Sequence, residues 1–92
     1  MSYRDLITAT IQSQKNLMGE AAEGPPRQIE GLEIDEEGTV TEVTGDGYEI
    51  ITKLVEAYHD LTGPVAYSTI ATALGEEYSG EERLPDAIED QL

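Results

Sequence analysis

Two Gly-Pro breaks, Gly24-Pro25-Pro26 and Gly63-Pro64, divide this 92-residue chain into three stretches with different periodicities. A residue before proline is pushed out of the α region, and proline has no N–H to donate, so a regular helix stops at such breaks. Ahead of the first, Tyr3, Leu6, Ile7, Ile11, Gln14, Leu17, Met18 and Ala21 recur at three- and four-residue steps. That spacing predicts a helix over 3–22 with one apolar stripe, opened by Ser2-Tyr3-Arg4-Asp5 with Ser2 as its N-cap.

Between the breaks the pattern first shortens to a period of two. Leu32 and Ile34 alternate with Glu33, while Val40 and Val43 stand among Thr39, Thr41 and Thr44. Such β-branched alternation predicts an antiparallel hairpin over 29–44, turned by Asp35-Glu36-Glu37-Gly38. Val40 and Val43 are three apart, so the second strand either bulges or turns only one of them inward. Asp46, within the turn Thr44-Gly45-Asp46-Gly47, then caps a helix over 46–62 whose stripe is Ile50, Ile51, Leu54, Val55, Tyr58 and Leu61.

Beyond Gly63-Pro64 a helix over 64–78 carries Tyr67, Ile70, Ala71 and Leu74, with Gly75 or Ser79-Gly80 as its end. The short connection makes these two helices an αα-hairpin. In the tail, 80–92, Leu84, Ile88 and Leu92 at four-residue steps permit a short helix; five acidic residues equally permit a frayed end. The expected architecture is a single small α+β domain over 1–92: helix, hairpin, αα-hairpin, helical tail.

Charge narrows the function. Twenty Asp and Glu oppose five Lys and Arg, a formal net charge of -15. Binding nucleic acid requires cations to neutralise phosphates, and the five here are scattered at positions 4, 15, 27, 53 and 83. Neither nucleic acid nor an anionic membrane surface is an expected partner. Without Cys there is no disulfide framework, zinc–thiolate site or cysteine nucleophile. No apolar run reaches membrane-spanning length and no signal pattern opens the chain, so a cytoplasmic location is expected. A carboxylate coat stays hydrated where salt screens its repulsion, the Debye length being about 3 Å at 1 M. In this amino-acid usage the chain resembles the small acidic, uncharacterised proteins encoded in haloarchaeal genomes.

Candidate sites are few. Glu56-x-x-His59 sets a carboxylate and the only imidazole one turn apart, the spacing of carboxylate-bridged metal bundles, and Asp60 adds an oxygen. No second Glu-x-x-His completes such a site, and a solvated helix face is the plainer reading of Glu56, His59 and Asp60. Gly38 falls too early for a calcium loop opened at Asp35. Ser68 and Thr69 could find a base only in His59, and no nucleotide-binding or nucleophile-elbow motif occurs. Catalysis and a cofactor are therefore not expected. Residues 50–75, with Ala71 and Gly75, also resemble the opening helices of helix-turn-helix regulators. The recognition helix would then fall within 76–91, where Arg83 stands alone among carboxylates.

Chains this short bury a marginal core, and a second copy is a remedy. The sequence is read as a non-enzymatic homodimer or an adaptor for another protein, using its apolar helical stripes and hairpin edge. A helix-turn-helix regulator, or metal or small-molecule binding at His59, is the alternative.

Overall fold

The computed structural model describes residues 2–76, 78, 80 and 82–92. It is an α+β fold of α1 (Tyr3–Met18), a short 3₁₀ turn (Gly19–Glu23), α2 (Gly24–Arg27), β1 (Leu32–Ile34), β2 (Val40–Val43), α3 (Gly47–Thr62), α4 (Val65–Gly75) and α5 (Asp86–Glu89).

Both cap signals are realised: Ser2 accepts from the Asp5 N–H and Asp46 from the Tyr48 N–H. The expected end of the first helix is not. It stops at Gly19, whose φ of 69° closes α1 with an N–H to the Lys15 carbonyl, rather than running to residue 22. Gly24-Pro25-Pro26, expected as a stop, instead starts α2. In a first turn the missing proline N–H has no intrahelical acceptor to lose. Gly63 ends α3 as expected. The third long helix ends at Gly75, one of its two expected ends and three residues short of the expected bound at 78. Glu77, Ser79 and Glu81, where its alternative end and part of the tail were expected, lie outside the described residues.

The hairpin pairs Leu32 with Val43, Glu33 with Glu42 and Ile34 with Val40, with a bulge beyond Glu33. The bulge resolves the three-residue spacing of the valines: Val40 is buried and Val43 only half so. Asp35 holds the turn by accepting from the Thr39 and Glu37 N–H groups, and these bonds keep its carboxyl below the usual range. Across the strands a hydrogen bond shared with Glu42, and the repulsion of that carboxylate, raise the Glu33 carboxyl.

The ring of Tyr3 lies against Gly47, and the Tyr58 hydroxyl donates to the Ala22 carbonyl. Helices α1 and α3 therefore run in the same direction, and α4 packs against both. Leu6, Ile7 and Ile11 of α1, Ile51, Leu54, Val55 and Tyr58 of α3, and Ile70, Ala71 and Leu74 of α4 meet in one core. The tail joins it through Leu84 and Ile88, both fully buried, so its alternation reports packing rather than fraying. The Tyr3 hydroxyl, donating to the Arg83 carbonyl at 2.7 Å, pins residues 82–89, the strap. Most of the helical stripes is thus buried inside one chain, with Leu17 and Leu61 left exposed. Gln14 sits fully buried among them, its Oε1 without a partner among the described residues.

Burial, with the Glu23 carboxylate adding, pushes the Tyr58 phenol far above the ordinary tyrosine range. The folded state thus keeps a proton that the unfolded chain releases near pH 10. Stability is complete below that value and falls as pH rises above it. Thermal melts at increasing pH should show the midpoint dropping from about pH 10 upward. In Tyr58→Phe that drop should be smaller, from a starting point lowered by about 1–2 kcal/mol for the lost buried hydrogen bond. An unchanged alkaline slope in the variant would assign the effect to other tyrosines.

Candidate functional site

The residues singled out on α3 do not converge as a set. Tyr48, Thr52, Val55, Glu56 and His59 fall along one face of α3, at helical steps of four, three, one and three. His59 is half-buried rather than solvated, its ring stacked on Tyr67 of α4 at 4.6 Å between centroids and 9° between planes. Glu56 is exposed and borders a cavity of about 230 Å3 that Tyr48, Thr52 and Val55 share with Tyr67 and the strap residues Pro85, Asp86 and Ala87. Asp60 opens instead on a different groove, with Ala21, Pro25, Ile29, Ala57 and Leu61. Among the described residues no three His, Asp or Glu side chains come together as a metal site.

Tyr48 carries a cation of its own. The Arg83 guanidinium carbon lies 4.4 Å from its ring centroid. The remaining basic residues are also engaged within the chain. Arg4 donates to the Val40 and Thr41 carbonyls, and Thr8 accepts from the Val40 N–H. Lys15 donates to the Glu37 carbonyl and Arg27 to that of Asp35. Both also reach Glu23, where the hydrogen bond from Arg27, aided by Lys15, holds the carboxyl below its usual range. Lys53 pairs with Glu49 one turn away. Three of the five cations thus lie along the seam between α1, α2 and the hairpin, clamping it from one side. Arg4, joined by Thr8, also occupies main-chain groups of β2, so that part of the hairpin edge is covered by α1.

After α4, the described residues form only the four-residue α5, which offers no recognition helix to follow residues 50–75. No helix is long and apolar enough to cross a membrane among the described residues.

A second feature escaped the periodicity argument because its signal is the absence of charge. Residues 61–75 contain no ionisable Asp, Glu, Lys, Arg or His, nor do residues 6–14. The fold lays these two stretches side by side as α4 and the body of α1. Between them runs an open groove of about 650 Å3. Its walls are Ala9, Gln12, Ser13 and Asn16 on one side and Ser68, Thr69, Thr72, Ala73 and Glu76 on the other. Asn16, Ser68 and Thr72 are exposed, yet nothing along this face except Glu76 carries charge. At one end, Leu17 closes α1 half-exposed, and Val65 opens α4 in the same state. Leu61, last in the stripe expected of α3, is 58% exposed and borders the groove that Asp60 opens on.

No protein family, curated protein or solved structure matches this chain.

Proposed function

We propose that this protein is a non-enzymatic interaction module that works as a homodimer, two copies meeting across the α1–α4 face. The uncharged groove carries this reading. Two chains of net charge -15 repel over most of their surfaces, and a face whose only carboxylate is Glu76, at the end of α4, is where approach costs least. Ala9, Ser13, Ser68 and Ala73 are small, so a helix of a second copy can come close to both walls. Gln12, Asn16 and Thr72 supply neutral donors and acceptors for the contact. Val65 adds apolar area at one end. The core needs no second chain, so dimerisation here joins folded units.

Sedimentation equilibrium in molar KCl, where long-range repulsion is screened, should show a reversible monomer–dimer equilibrium. Thr72→Asp places a carboxylate on the face twice per dimer, once from each copy. Thr72 is exposed and its hydroxyl donates to the Ser68 carbonyl of its own helix, so the fold tolerates the change. The dissociation constant should rise at least about a hundredfold, with circular dichroism unchanged. A wild-type protein monomeric at every concentration, or a Thr72→Asp dimer as tight as the wild type, would overturn the proposal.

A further inference from the structure

We infer that the cavity between α3, α4 and the strap is a binding site for a small alkylammonium ion. This inference is independent of the dimer: a monomer would bind as well. Two aromatic rings from different elements, Tyr48 and Tyr67, border one cavity of about 230 Å3. Cations are attracted to such ring faces when they sit within about 6 Å of the centroid. The protein's own Arg83 already makes this contact on one face of Tyr48 and does not line the cavity, so the guest takes the part of the ring that borders the cavity. The Tyr67 ring is held in plane by the stacked His59 and needs no reorganisation to receive a guest.

Two carboxylates border the same space from opposite elements, Glu56 from α3 and Asp86 from α5. Both are exposed, so they supply attraction without a buried charge to desolvate. Val55 and Ala87 provide apolar wall for alkyl groups. Thr52, also on the lining, has a hydroxyl with no partner among the described residues. This mixture selects among cations. A metal ion would find no set of three ligating side chains here, and it holds its water too tightly for aromatic walls to compensate. An alkylammonium head has weakly hydrated methyl or methylene surface that rings and aliphatic side chains can cover. The cavity is smaller than the roughly 300–1,000 Å3 of sites for drug-sized ligands, so the guest is a head group, free or at the end of a longer chain.

The test is a titration of the full chain with tetramethylammonium chloride, exchanged for KCl at constant molar ionic strength and followed by the NMR signals of the tyrosine rings. Saturable shifts confined to Tyr48 and Tyr67 are expected. Neopentyl alcohol, a neutral compound of similar shape, should shift them at least about tenfold more weakly. The double variant Glu56→Gln/Asp86→Asn should lose about tenfold in affinity for tetramethylammonium, its amide spectrum confirming the fold. A parallel titration with n-butylammonium separates the sources. Tighter binding of the primary amine points to a lysine-like chain, and tighter binding of the quaternary ion to a methylated head group. Absence of saturable shifts at both rings, equal binding of the neutral compound, or unchanged affinity in the double variant would each overturn the inference.

Discussion

Truncating Leu54 to alanine should remove about 3 kcal/mol of folding stability, the middle of the range for emptying a well-packed aliphatic site. Leu54 is fully buried at the centre of α3, on the stripe that meets α1 and α4. A domain of this length holds a total of roughly 5–14 kcal/mol, so the loss takes a large share of it. Urea titration at fixed molar KCl should show a lower midpoint with an unchanged slope. Lys53, the adjacent residue, is an internal control. Its pair with Glu49 is exposed on both sides, and Lys53→Ala should leave the midpoint almost where it was. Similar losses at the two positions would mean that α3 does not bury the face assigned to it.

The second large effect is expected at Gly31, where the chain enters the hairpin. Its φ is +89°, a region that costs a residue with a side chain about 1–2 kcal/mol. A Cβ there would also collide with the Thr44 carbonyl oxygen. The two strands cannot part to make room without cost, because the Thr44 N–H donates to the Gly31 carbonyl at 2.7 Å and closes the base of the ladder. Together these place Gly31→Ala at about 3 kcal/mol destabilising, the overlap adding to the strained backbone. Gly45 separates the two contributions. It has a φ of +103° but open space around the position of a Cβ. Gly45→Ala should therefore show the backbone penalty alone. Equal losses in the two variants would remove the collision from the account.

Local rules carried the reading of the elements as far as one residue type dominated. Ser2 and Asp46 needed only their own side-chain oxygens to announce helix starts, and the hairpin followed from alternation around Gly38. The end of α1 failed because Gly19 and Gly24 compete as terminators, and only packing decides that Pro25 and Pro26 open a turn. The tail was ambiguous for a similar reason. Leu84 and Ile88 count as core only once Tyr3, eighty residues away, pins the strap beside α3.

The candidate site was legible in part. Glu56 and His59 do share a face of α3, and no third ligating side chain joins them among the described residues. His59 braces an aromatic ring, and Asp60 faces another groove. Tyr67 and Asp86 could not be added from sequence, since they reach the cavity from elements that only the tertiary fold brings there. The uncharged face was readable all along in residues 6–14 and 61–75. Its meaning depends on α1 and α4 lying side by side.

The central claim is that this uncharged face joins two copies of the chain. It is tested most directly by isotope-filtered NMR on an equimolar mixture of labelled and unlabelled protein in molar KCl. Intermolecular contacts are predicted between α1 and α4 of opposite copies, involving Ala9, Ser68, Thr72 and Ala73. Contacts confined to the hairpin or to the α3–strap cavity, or no intermolecular contact at all, would contradict it.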